Sequence, residues 1–127
     1  IQADAGTRTA SITGAWIALR RACDQLLSKG VLTQDPIRHQ LAAVSVGLID
    51  GTPLLDLDYS EDSRADVDLN VVITDDGRLV ELQGTAEQAP FSRSELDAML
   101  TLAESGIQDL MRGQRLALTT AAGSGIS

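Results

Sequence analysis

The chain has 127 residues with 43% hydrophobic and 22% charged content, enough for one folded domain with a real core. Its 18 acidic and 10 basic residues leave a net charge of −8, which argues against nucleic-acid binding through bulk electrostatics and makes carboxylates available for a divalent cation. No apolar run approaches the ~20 residues that span a bilayer, so no membrane role is expected; the single cysteine, Cys23, excludes an internal disulfide and fits a reducing, cytoplasmic compartment.

The opening Ile1-Gln2 reads as the interior of a strand, and the chain is expected to be a piece of a longer protein. Gly6, Thr7 and Arg8 follow in a run of small residues just before an apolar helical pattern. A helix start leaves backbone N–H groups unpartnered at the positive end of the peptide dipoles, which suits a phosphate. Arg8 adds a guanidinium fork matched to phosphate oxygens. Ile12, Trp16, Leu19, Cys23, Leu26 and Leu27 recur at three- and four-residue spacing and predict an amphipathic helix from about Thr7 to Lys29, stopped by Gly30. Val31 to Gln40, with Asp35-Pro36, reads as a connector.

The period then changes to two. Ala42–Asp50 predicts a strand with Val44, Val46 and Leu48 on one face, Gly51-Thr52-Pro53 a turn, and Leu55 with Leu57 a second strand. Asp66–Thr74 alternates, with Val67, Leu69, Val71 and Ile73 on one side and Asp66, Asp68, Asn70 and Val72 on the other. Asp75-Asp76-Gly77 signals a hairpin, and Arg78–Gly84 a fourth strand with Val80 and Leu82 inward. The short links favour an antiparallel meander. Ser92-Arg93-Ser94-Glu95 is a capping box that opens a helix with an apolar stripe of Leu96, Met99, Leu100, Ala103, Ile107, Leu110 and Met111; Gly106 and Gly113 weaken it. From Leu118 onward the composition predicts a disordered tail. These elements define an α+β fold, a largely antiparallel four-stranded sheet with flanking helices.

Asp66, Asp68 and Asn70 share a sheet face, Asp56, Asp58, Glu81 and Gln83 take the out-of-phase positions on neighbouring strands, and Asp62 lies in the loop feeding the third strand. A solvated face of an antiparallel sheet accounts for such a pattern. Against that, like charges on adjacent strands repel, and hard oxygen ligands suit Mg²⁺ or Mn²⁺, above all where substrate phosphates complete the shell. His39, the one histidine, sits in the connector and is read as non-functional. Trp16 and Phe91 are read as packing residues, since three aromatics in all, Tyr59 included, make no stacking surface. No dinucleotide fingerprint, P-loop or zinc spacing is present.

The segments Gly6-Thr7-Arg8-Thr9-Ala10-Ser11-Ile12-Thr13-Gly14, Ala43-Val44-Ser45-Val46-Gly47, Leu54-Leu55-Asp56-Leu57, Glu61 to Asn70, and Gln83-Gly84-Thr85-Ala86-Glu87 with Pro90-Phe91-Ser92 closely resemble the ribonuclease PH family. The resemblance runs in register from Ile1 to about Leu118 and corresponds to the C-terminal half of that fold. It implies a phosphorolytic 3′→5′ exoribonuclease, a nucleotidyltransferase that trims the 3′ ends of tRNA precursors and other RNA with inorganic phosphate and releases nucleoside diphosphates. It also implies that Gly6, Thr7 and Arg8 bind phosphate. Asp62 and Asp68 are implied as catalytic residues, and they hold Mg²⁺ or Mn²⁺ with Asp66 as accessory ligand. Related polynucleotide phosphorylases carry lysine where this chain has Asn70.

On this resemblance, residues 1–40 are the trailing strand end, helix and connector of a first half, 41–117 the second-domain sheet and helix, and 118–127 a flexible tail. The partners implied are a missing N-terminal half, which would cover the apolar face of the first helix, and a homo-hexamer built as a trimer of dimers. The piece alone is expected to be inactive. Two other readings remain: a non-catalytic ring subunit of an exosome-like assembly, against which Thr7, Arg8, Asp62 and Asp68 together argue, and a general acidic metal-binding or interaction domain.

Overall fold

The structure, a computed structural model, describes residues 2–55, 66–87 and 89–124, with the side chains of residues 8–119 within those ranges. Leu57 and the predicted acids Asp56, Asp58 and Asp62 lie outside the described residues. The element order is α1 (Gln2–Ser28), β1 (Leu41–Ile49), β2 (Thr52–Leu55), β3 (Val67–Thr74), β4 (Leu79–Ala86) and α2 (Arg93–Ser124). All strand pairs are antiparallel, in the order β2-β1-β3-β4. The sheet is therefore two hairpins joined through β1 and β3 and not the simple meander that short links suggest: β3 passes β2 and pairs with the longer, more apolar β1.

Alternation decides which face is core. Val44, Val46 and Leu48 of β1 and Val67, Leu69, Val71 and Ile73 of β3 are buried against Met99, Ala103, Ile107 and Met111 of α2. The α2 stripe is the predicted one. Its start is the capping box: the Ser92 N–H donates to Glu95 Oε1 at 2.8 Å and the Glu95 N–H to Ser92 Oγ at 3.1 Å. The helix continues past Leu118 to Ser124 instead of ending in an unstructured tail. Thr119, Thr120, Ala121 and Ala122 contain no breaker, and extending an existing helix is cheap compared with starting one.

The two internal glycines of α2 differ. A Cβ at Gly106 would sit 2.5 Å from Leu55 Cδ2, so Gly106 is where the helix passes close over β2. A Cβ at Gly113 would meet nothing within 4 Å. Gly113→Ala is therefore expected to stabilise the fold by about 0.5–1 kcal/mol, read as a raised urea midpoint at unchanged slope; a lowered midpoint would contradict this.

The turns follow local chemistry. Asp50 (φ 51°) and Gly51 (φ 78°) form the two-residue loop between Ile49 and Thr52, so the turn lies earlier than the predicted Gly51-Thr52-Pro53. A primed turn needs positive φ at both central residues, and Asp-Gly supplies them. Pro53 then falls in the edge strand, where its missing N–H is tolerated. At the second hairpin Gly77 (φ 83°) closes the predicted Asp75-Asp76-Gly77 turn, with Thr74 N–H donating to Arg78 O at 2.9 Å. Val72 opposes Glu81 while Ile73 opposes Leu79, so Val80 is an extra, bulged residue. Leu82 shares the core face with its partner Val71, as predicted, but is 43% exposed, and the bulged Val80 is 59% exposed, because β4 is an edge strand that α2 does not reach across.

Helix α1 ends as Gly30 predicts. The Gly30 N–H donates to Leu27 O and the Val31 N–H to Leu26 O, the paired bonds of a Schellman motif with Gly30 at φ 77°. Its start differs from the expectation. Gln2 is helical and not part of a strand, and Gly6, Thr7 and Arg8 lie inside the helix. Ala3 and Ala5 are strong helix formers and Asp4 suits the positive end of the dipole; one glycine costs about 1 kcal/mol, too little to halt the helix. The N–H groups of Gly6 to Arg8 are thereby spent on helical bonds.

Helix α1 packs on β1 and touches β3 and α2. Thr9 and Cys23 are buried, while Leu19, Leu26, Val31 on the connector and Leu116 on α2 remain exposed, so part of the apolar surface expected to be uncovered is uncovered. Among the described residues β2 pairs with β1 up to Val46, and farther along β1 side chains meet its backbone. Thr13 Oγ1 accepts from Ala43 N–H at 3.0 Å and donates to Ala43 O at 3.3 Å. Gln114 Nε2 donates to Leu41 O at 2.9 Å and to Thr13 O at 3.0 Å. Gln40 Nε2 donates to Gln114 Oε1 at 2.7 Å and to Met111 O at 2.9 Å, while Arg115 donates to Gln40 Oε1 at 3.0 Å. Two helices thus meet the β1 backbone with threonine and glutamine side chains.

Candidate active site

The sheet face opposite α2 carries the chemistry. Register sets three rows across it: Gly47, Asp68 and Thr85; Ser45, Asn70 and Gln83; Ala43, Val72 and Glu81. Helix α1 covers part of this face. Thr9 Oγ1 lies 3.3 Å from Ser45 Oγ, and Ser45 Oγ donates to Asn70 Oδ1 at 2.8 Å. This hydroxyl–hydroxyl–amide chain fixes the helix over the middle row, with Ser45 and Thr9 both buried.

Arg8, one residue before Thr9, reaches the third row. Its Nη2 donates to both oxygens of Glu81, the Oε2 contact at 2.6 Å. That hydrogen bond, followed by the carboxylate's charge, raises the Arg8 guanidinium above its ordinary pKa, so Arg8 is a permanent cation on this face. Asp68 sits four residues from Val72 along β3, about 13 Å away at strand rise. Its β1 neighbour is Gly47, which presents no side chain beside the carboxylate. The structure therefore puts the predicted cation Arg8 and the predicted catalytic Asp68 on one face.

Asp66, expected to join Asp68, has a structural task. Its Oδ2 accepts from the Asp50 N–H at 3.1 Å and steadies the β1–β2 turn, and its backbone links Leu48 O to Glu87 N–H. Among the described residues, Asp66 and Asp68 belong to no group of three side chains close enough to share an ion. The group that qualifies is His39, Asp75 and Asp76 at the exposed β3–β4 turn, with ligand atoms within 4.8 Å of one another. Its geometry is that of a surface network of polar contacts: His39 Nδ1 lies 3.1 Å from Asp75 and Arg78 Nε 3.3 Å from Asp76. The connector position of His39 holds as read. Trp16 and Phe91 are packing residues: Trp16 Nε1 donates to His39 O at 3.0 Å, and the Phe91 ring lies 3.2 Å from where a Gly84 Cβ would stand.

Sequence reasoning placed Glu81 on the acidic face but did not link it to Arg8, nor Thr9 to Ser45 and Asn70. These partners are separated by 73, 36 and 25 positions, and no local pattern encodes such pairs.

A four-stranded antiparallel sheet with a helix on each side defines an α+β domain. Residues 39–106 match the model of the 3′ exoribonuclease family, domain 2, and the chain belongs to that family. It is 88% identical over 127 residues, all of this chain and 51% of the relative, to "Ribonuclease PH" of Parasynechococcus marenigrum. It is 70% identical over 118 residues (93% of this chain, 48% of the relative) to "Ribonuclease PH" of Prochlorococcus marinus. The figure is 56% over 121 residues (95% and 50%) for "Ribonuclease PH" of Neisseria meningitidis. The chain spans about half the length of the curated relatives it matches. Among the described residues no helix is long and apolar enough to cross a membrane.

Proposed function

We propose that this chain supplies the C-terminal half of a phosphorolytic 3′→5′ exoribonuclease that trims tRNA 3′ ends in the cytoplasm. The observation that carries this reading is the shared face of Arg8 and Asp68 in a member of the 3′ exoribonuclease family. The relatives named ribonuclease PH support the substrate class. An oxygen of inorganic phosphate attacks the phosphorus of the terminal phosphodiester, and the bond from phosphorus to the preceding 3′-oxygen breaks. A nucleoside 5′-diphosphate leaves, and the shortened RNA keeps a 3′-hydroxyl.

Such a transfer needs placement and charge neutralisation more than covalent help. Arg8, in the helical segment that Gly6 and Thr7 lead into, orients the attacking anion with its guanidinium. Asp68, with Asp62, would act on the leaving 3′-oxygen and govern the proton it takes up. The donors are hard carboxylate oxygens, which fit Mg²⁺ or Mn²⁺. Asp68 and Asp62 would hold the ion, with Asp66 contributing a lone pair beyond the one given to Asp50. The ion would supply charge stabilisation at the leaving oxygen. On this reading an N-terminal half would add a basic RNA-binding surface, and the whole protein would assemble as a hexameric ring.

The test uses full-length protein, a tRNA with a 3′ extension and Mg²⁺. Shortening is expected with phosphate and not without it; equal shortening in both would contradict phosphorolysis.

A further inference from the structure

The partner of Arg8 is itself informative. Glu81 offers two oxygens to one guanidinium nitrogen, the nearest imitation of a bound phosphate that a side chain can provide. The pair is open to water, with Arg8 44% and Glu81 32% exposed, so it exchanges readily and is weak. It lies in the Val72 row, about 13 Å along β3 from the Asp68 row. An anion that takes the same Nη2 donor must displace Glu81 from it.

We propose, building on the phosphorolytic reading above, that Glu81 is an internal competitor for Arg8. It occupies the guanidinium when no phosphate is bound and thereby sets the affinity for phosphate. The competition exists in the free enzyme and not in the transition state. Removing it lowers the phosphate KM and leaves kcat alone.

The experiment is steady-state trimming of a 3′-extended tRNA by full-length protein over a range of phosphate concentrations. Glu81→Gln and Glu81→Ala are expected to lower the phosphate KM about two- to five-fold, the range to which an exposed ion pair converts, with KM for RNA and kcat held. Asp75→Asn removes a like charge beyond the same strand, where the carboxylate faces His39, and is expected to leave the phosphate KM in place. An unchanged or raised phosphate KM in both Glu81 variants overturns the proposal, the raised value marking Glu81 as a positioning residue for Arg8. An equal fall in Asp75→Asn also overturns it, since net charge would then explain the effect. Failure of the underlying reading shows separately, as wild-type trimming that ignores phosphate, and it takes the competitor role with it.

Discussion

Asp68→Asn is expected to lower kcat for phosphate-dependent trimming by at least about 10²-fold, the usual loss when a group that handles a reacting proton or charge is removed. The substitution keeps shape and volume. It stands on β3 between Gly47 and Thr85, in a row without a bulky neighbour on the β1 side, so the amide fits without displacing packing. What changes is charge and the ability to deliver or hold a proton at the leaving 3′-oxygen. Phosphate KM should move much less than kcat, because in the proposed reaction the anion falls to Arg8, which reaches another row of the face. A variant with native turnover and an unchanged thermal midpoint would remove Asp68 from the reaction. One that melts early would show that its role is structural.

Gln114→Ala is expected to cost about 2–4 kcal/mol of stability, because it combines a cavity with lost buried hydrogen bonds. Gln114 is 1% exposed and serves three elements together: its amide donates to Leu41 O in β1 and Thr13 O in α1, and its carbonyl accepts from Gln40. Truncation takes the amide donor away from Leu41 O and Thr13 O. Gln40 keeps its bond to Met111 O, so the damage centres on the α1–β1–α2 junction. Urea unfolding of the wild type and variant measures it. A loss below about 1 kcal/mol would mean that water replaces the amide there.

The fold was legible where periodicity and turn chemistry act locally. The β3 alternation, the Gly30 stop, the Ser92–Glu95 box and the α2 stripe each depend on residues within a few positions of one another. Strand order was less legible, because pairing β3 with β1 rather than β2 is settled by length and burial across the chain. The bulge at Val80 similarly hides in a run that alternates correctly on paper. At the site, residue type and family resemblance single out Arg8 and Asp68, and the structure places both on one sheet face. The anion pocket was read from free N–H groups at a helix start, and Gly6, Thr7 and Arg8 lie inside the helix, so the cation is presented by a side chain and not by a helix end. Glu81 escaped because its relation to Arg8 exists only once α1 is folded over the sheet.

The central claim is that phosphate, and not water, breaks the terminal bond of the RNA. The direct measurement is the product formed when full-length protein trims a 3′-extended tRNA in the presence of isotopically labelled inorganic phosphate. The account predicts nucleoside diphosphates carrying the label at the β-phosphorus, one for each nucleotide removed. Unlabelled nucleoside monophosphates would contradict it.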